Sequence, residues 1–278
     1  SNRTVKTWKT DADFTAQSTD DERWLDTLLQ ALYFQRADNK KPLLWYHFCA
    51  HPVCYQDTQA GPDWPGIVAE GIEPRPGFLQ GHIGDVNPGD GKKWIGEPMQ
   101  TAQAIAPALH HAMGHGDIVE VDDLKIVNAT VDLPFDMDRF KADIEFHKTQ
   151  PEKCKDGVWV DEGFAKAWSE IAAQWNMNTT SYTAPISAMR LGSVALLFHP
   201  AELYSFYGLQ LRTAAPFSNV LAVGYCDDFV GYLTDPKAYT NNEYAAVVVP
   251  KILGLPPFTT GSARHLTAQC QSLLSKLA

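Results

Sequence analysis

The 278-residue chain is 45% hydrophobic and 20% charged, an ordinary balance for a globular protein able to bury a substantial core. Its formal net charge of −10 excludes a broadly basic nucleic-acid surface and disfavours attraction to anionic headgroups. No apolar run reaches the roughly 18–20 residues that span a bilayer, and five cysteines, an odd number, do not make a disulfide framework.

Thr19 to Glu22 has the spelling of a helix capping box, and Trp24, Leu25, Leu28, Leu29 and Leu32 fit helical spacing. The rival reading is a hairpin, with strands at Leu28 to Gln35 and Pro42 to Ala50 around the polar Asp38-Asn39-Lys40-Lys41 turn. The hairpin is preferred. Asp63-Trp64-Pro65-Gly66 starts a helix running to about Glu73, with Asp63 as an N-cap acid. Gly77 to Gln80 is a short strand entering a loop of glycine and aspartate. Glu97 to Met113 carries an apolar helical face through Met99, Ala102, Ile105, Ala106, Leu109 and Met113. Ile118 to Val131 alternates as strands do. Met137 to Lys148 and Glu162 to Trp175 read as helices, and Ala184 to Arg190 with Ser193 to Phe198 as a hairpin about Gly192. A helix over Ala201 to Leu211, a strand over Val220 to Tyr225 and a closing amphipathic helix over Ser262 to Leu277 complete the chain. Strands and helices alternate without repeats or a low-complexity linker. The expectation is one α/β domain over residues 1–278, with layered sheets flanked by helices.

Several side chains have residue types suited to chemistry. His51 ends the apolar strand L-L-W-Y-H-F-C-A, where an imidazole serves equally as a buried structural group or as a metal ligand. Cys49 and Cys54 flank it but have no matching second pair, so they read as packing residues. Glu202, in H-P-A-E, is expected in the first turn of its helix, where a carboxylate favours the dipole. Tyr232 and Tyr244 lie twelve residues apart about a Pro-Lys turn; a strand tyrosine is ordinarily packing, and Tyr225 is assigned to the core. His111 and His115 lack the H-E-x-x-H spelling of a zinc protease and read as the wet end of a helix with His110.

The run F-H-P-A-E-L-Y from Phe198, the run G-Y-L-T-D-P-K-A-Y-T-N-N-E-Y ending at Tyr244, A-H-P-V around His51 and L-Q-G-H-I-G-D-V-N-P at Leu79 to Pro88 together resemble the neutral, non-lysosomal ceramidase family. The resemblance extends over nearly the whole chain but corresponds to the later part of that family's catalytic domain. It implies a zinc amidase that cuts the N-acyl bond of ceramide or a related N-acyl lipid with a metal-activated water. It further implies Zn2+ held by His51, Glu202 and Tyr232, with Tyr244 donating to the oxyanion. Gln80, His82 and Asn87 fall in the loop that lines the cavity, and Arg3 matches the arginine of an Asn-Arg signature. His82 departs from the usual residue and reads as a supporting or surface group; Ala201 replaces a usual glycine, which tests whether that turn needs positive φ. Asp63 is expected to position a helix, and Trp45, Trp94 and the surroundings of Phe206 to shape an acyl channel or the core. The family's His-x-His-Ser motif, bearing a fourth ligand and a general acid, occurs nowhere in the 278 residues. A separate N-terminal segment is therefore an expected partner, and by resemblance the location is secreted or periplasmic. The competing readings are a lipid- or carbohydrate-binding relative without metal, and a zinc hydrolase of another amide or ester.

Overall fold

In the computed structural model, which describes residues 17, 24–55, 58, 60–89, 95–154 and 160–278, the first apolar stretch forms a hairpin. Strand β1 (Gln30–Phe34) pairs antiparallel with β2 (Leu43–Phe48), and β3 (Gly77–Gln80) adds in parallel on the other side of β2. The helical alternative fails because Gln30–Phe34 pairs with β2, from Gln30 against His47 to Phe34 against Leu43, and alternate residues of β2, Leu44 and Tyr46, form a buried face. They pack with Trp64 and Val68 of α1 (Asp63–Glu70) and with Ala102, Ile105 and Leu109 of α2 (Pro98–Gly114). Met99, expected on that face of α2, is exposed instead. Asp63 is the first residue of α1 rather than its N-cap, and its carboxylate accepts from the amides of Tyr55 and Trp64.

The second sheet has the order β4 (Leu124–Pro134), β5 (Ser181–Leu191), β6 (Val194–Phe198), β8 (Asn219–Val223). The β4–β5 and β5–β6 pairs are antiparallel and β6–β8 is parallel. Residues 118–123, expected to begin the first of these strands, lie outside it, after which β4 runs eleven residues. Helices α3 (Met137–Thr149) and α4 (Glu162–Ala172) pack on each other through Phe140, Trp168 and Ala172. The closing helix α9 (Ser262–Ser275) turns Leu266, Cys270, Leu273 and Leu274 onto the sheet, meeting Leu133, Ile186 and Leu197 in the main core. Burying each such leucine contributes about 1.5–3 kcal/mol.

A two-stranded parallel ladder of β7 (Ala201–Leu203) and β9 (Gly231–Leu233) continues from the second sheet. After Phe198 pairs with Val223, His199 still donates its amide to the Val223 carbonyl; residues 224–230 then leave the ladder, and pairing resumes at Ala201 and Gly231. Of the helices that follow, α7 (Tyr244–Val247) and α8 (Val249–Ile252) pack against β9, α6 (Pro236–Thr240) against α7, and α5 (Ser205–Ala214) against β8. The first sheet meets the end of β8, in the second sheet: Gly224 N–H donates to the Gln80 carbonyl, and His47 Nε2 lies 2.9 Å from Ala222 O. The architecture is mixed α/β, sheets flanked by helices. No described helix is long and apolar enough to cross a membrane.

Candidate functional site

Glu202 does not begin a helix. It sits in the middle of β7, and its partner across the ladder is Tyr232 of β9, thirty residues later in the chain. The strand stops at Leu203 because the next turn belongs to α5, whose first amide, Ser205 N–H, is accepted by Asp85 at 2.8 Å together with the Ser205 hydroxyl at 2.7 Å. A carboxylate from another loop thus occupies the position where the sequence pattern set Glu202. Ala201 takes ordinary extended pairing, so the departure from glycine there has no backbone consequence. Positive φ falls instead at Gly231, at +72°, immediately before Tyr232.

His51 follows β2 and is held twice by Val86. Its amide donates to the Val86 carbonyl at 3.1 Å, and its Nδ1 lies 3.0 Å from the same oxygen. A carbonyl accepts only, so Nδ1 carries a proton, and Nε2 is the ring nitrogen that faces the site. That nitrogen lies 3.1 Å from Glu202 Oε2 and 3.3 Å from the Tyr232 hydroxyl. His51 and Glu202 are nearly fully buried, at 5% and 6% exposure. The indole N–H of Trp64 donates to the His51 carbonyl at 3.0 Å, fixing the corner itself.

These three groups face one point, where either a proton or a cation would relieve their repulsion. A lone pair and a carboxylate oxygen 3.1 Å apart repel in a buried site unless a proton or metal lies between them. Donors bound to one zinc at about 2.0–2.2 Å, subtending about 95–110°, stand about 3.0–3.5 Å apart. Both observed separations fall in that interval, so the residues present fit the ion.

The loop over residues 81–88 is buried throughout and closes one side of the site. Gly84 donates to the Leu203 carbonyl at 2.9 Å, and a Cβ there would stand 2.5 Å from the Glu202 carbonyl oxygen. Only glycine lets the loop lie directly on β7. Gln80 donates its side-chain amide to the Ala50 carbonyl at 3.2 Å, and Asn87 is buried at the wall of a cavity shared with Phe48 and Ala50. His82 is not a surface residue: it is 1% exposed, with Nε2 3.1 Å from Asp26. Tyr244 is half-buried and opens α7; its side chain packs against the cluster of Val160, Ala165, Ala238 and Ala246, while α7 itself packs against β9. Tyr225, assigned to the core, is 40% exposed, with φ of +59°, and stacks on Phe229 at 5.5 Å. All five cysteines are free, and Cys49 and Cys54 turn to different partners, His82 and Thr101. His110, His111 and His115 are exposed as expected. Trp45 and Phe206 are also partly exposed, at 37% and 38%. Arg3, Trp94 and the Thr19–Glu22 capping box lie outside the described residues.

Sequence reasoning missed Asp26 and Asp85. Asp26 was legible as a lone acid inside the apolar run Trp24 to Leu29, a position that needs a partner. Its partners are His82 and Arg212, and although burial raises its carboxyl pKa, their bonds and charges outweigh this and bring it down to about 2.

Compared with solved structures, the chain superposes along 99% of its length on the neutral ceramidase from Pseudomonas aeruginosa, with a TM-score of 0.64 at 16% sequence identity. The fold is ceramidase-like. A ceramidase complexed with C2 matches with the same TM-score and identity. The chain spans about half the length of these structures, 50% and 51%. No family model and no curated protein matches the sequence.

Proposed function

We propose that this chain forms part of a zinc-dependent amidohydrolase that cleaves the N-acyl bond of ceramide or a related N-acyl lipid. The observation that carries the reading is the convergence of His51, Glu202 and Tyr232, drawn from three separate segments, at separations that suit a single metal ion. The ceramidase-like fold over nearly the whole chain supports it.

His51 Nε2, a Glu202 carboxylate oxygen and the Tyr232 phenol oxygen would hold the ion. Bound zinc supplies Lewis acidity toward an acyl carbonyl and lowers the pKa of a coordinated water to about 7. The chain's own residues prepare for this. Val86 accepts from Nδ1 of His51, so that Nε2 faces the ligand position. Glu202, buried, would balance the positive charge, and pairing with β9 holds its backbone against that of Tyr232. Tyr244 is assigned as the O–H donor to the oxygen that becomes anionic as the amide carbon turns tetrahedral. Gln80 and Asn87 are assigned to substrate polar groups, Asn87 from the cavity wall. Protonation of the departing amine falls to a group outside these residues, on the expected His-x-His-Ser segment. Arg3 keeps the catalytic role that the Asn-Arg signature of the family implies.

The test is zinc content and turnover. The purified chain should bind zinc at a site lost in Glu202→Ala and in His51→Ala. With the preceding segment present, it should hydrolyse ceramide or a fluorogenic N-acyl amine, and Tyr244→Phe should lower kcat about 10²–10³-fold. Unchanged zinc content in Glu202→Ala would refute the site. A stable protein that binds no zinc would favour a binding module, and turnover restricted to other amides or esters would reassign the substrate class.

A further inference from the structure

A second group of metal-type donors shares no residue with the His51 group. Asp26, Cys49 and His82 are all buried, and one ligand atom from each falls within 4.8 Å of the others. His82 Nε2 is 3.1 Å from Asp26 Oδ2 and 3.5 Å from Cys49 Sγ. In a hydrogen-bonded relay the ring would use one nitrogen for the acid and the other for the thiol. Here a single nitrogen faces both, while Nδ1 is buried without a hydrogen-bond partner. Donors gathered about one point are the arrangement of ligands around an ion. About 3.5 Å is also the N···S separation expected when zinc binds nitrogen at about 2.0–2.1 Å and sulfur at about 2.3 Å in a tetrahedron.

Surrounding residues are shaped to this group. A Cβ at Gly81 would lie 2.3 Å from Cys49 Sγ, and one at Gly208 would lie 1.9 Å from the His82 ring. Two glycines from different elements thus clear the volume the cluster fills. Arg212 takes the other oxygen of Asp26, leaving Oδ2 for the shared centre. Asp26 and Cys49 also line a cavity of ≈ 290 Å³ with Leu25, Phe48 and Ile105, giving an ion and one water-sized ligand a way in.

We propose that Asp26, Cys49 and His82 form a second metal site, selective for a thiolate-seeking divalent ion such as zinc, with an open fourth position toward that cavity. Sulfur in the ligand set separates it chemically from the all-N/O set of His51, Glu202 and Tyr232, and the two are separable by experiment.

The protein used for the test is Glu202→Ala, in which the first site is disabled. Loaded with Co2+ during refolding, it should show a thiolate-to-metal charge-transfer band in the near ultraviolet. Loaded with zinc, its X-ray absorption should show one sulfur scatterer at about 2.3 Å. The cobalt band should vanish in the Glu202→Ala, Cys49→Ser double variant and persist when Cys54, Cys154, Cys226 or Cys270 is replaced by serine instead. Absence of sulfur from the zinc shell, or a band that survives loss of Cys49, overturns the proposal. The sulfur measurement needs no change at Cys49 and so holds even if that variant fails to fold. Failure of the first site would leave both readouts unchanged.

Discussion

Replacing Gly84 by alanine tests how the buried loop positions the candidate ligands. The added Cβ would stand 2.5 Å from the Glu202 carbonyl oxygen, 2.7 Å from Tyr204 Cδ1 and 3.1 Å from the Leu203 carbonyl carbon. Two of these are backbone atoms and cannot turn aside, so loop and strand must separate by nearly 1 Å to reach ordinary contact. Overpacking of this kind costs about 1–3 kcal/mol, and stretching the Gly84 N–H bond to Leu203 adds about 1 kcal/mol. Gly84→Ala should therefore lose about 2–4 kcal/mol and lower the urea midpoint by about 1 M. Because the displaced strand carries Glu202, zinc affinity should also fall about 10–100-fold, the range for a disturbed supporting residue. Gly114→Ala is the control: nothing lies within 4 Å of its Cβ, and it ends α2, so alanine should stabilise by up to about 1 kcal/mol. Equal midpoints for Gly84→Ala and the wild-type chain would refute the reasoning.

Other consequences can be measured independently. Asp85→Ala leaves the Ser205 amide and hydroxyl buried without their carboxylate, and chemical denaturation should report a loss of about 2–4 kcal/mol. His199 is fully buried, and burial drives its pKa down to about 3, from 6.5. Its folded-state pKa lies below the unfolded one, so its contribution is complete above pH 6.5 and is lost as pH falls from 6.5 toward 3. The loss is about 1.4 kcal/mol per unit in that interval. His199→Leu should flatten the dependence of the urea midpoint between pH 7 and 5, although losing the acceptor for the Ala201 amide lowers the baseline. Tyr182 donates to Asp228 at 2.5 Å, and this bond raises its hydroxyl pKa to about 12. The contribution is present below the unfolded pKa of about 10 and is lost through 12. In Asp228→Asn, ultraviolet titration should find that tyrosine ionising closer to 10.

Local pattern carried much of the fold. Alternation in L-L-W-Y-H-F and spacing in α2 and α9 follow from each element burying one face, a rule that needs only near neighbours. Glu202 was misread for the opposite reason. A three-residue strand has no period of its own, and β7 exists because β9 pairs with it from thirty residues away. The same limit hid the surroundings of His82: its partner Asp26 lies 56 positions earlier, and Arg212 reaches that acid from α5. Tyr225 looked like core because it ends an apolar run, yet at φ of +59° the chain is already turning outward. The grouping of His51, Glu202 and Tyr232 came only from comparing motifs with a known family, since no spacing rule links an imidazole at 51 to a phenol at 232.

The excursion over residues 224–230 leaves one parallel ladder and rejoins it with the opposing chain advanced by only His199 and Pro200. Its two ends are therefore anchored close together whatever the course between them. Residues could be grafted into or cut from its exposed tip, around Asp227 and Asp228, without shifting Glu202 against Tyr232. A framework built this way lets the rim diversify while the paired side chains beneath keep their mutual spacing.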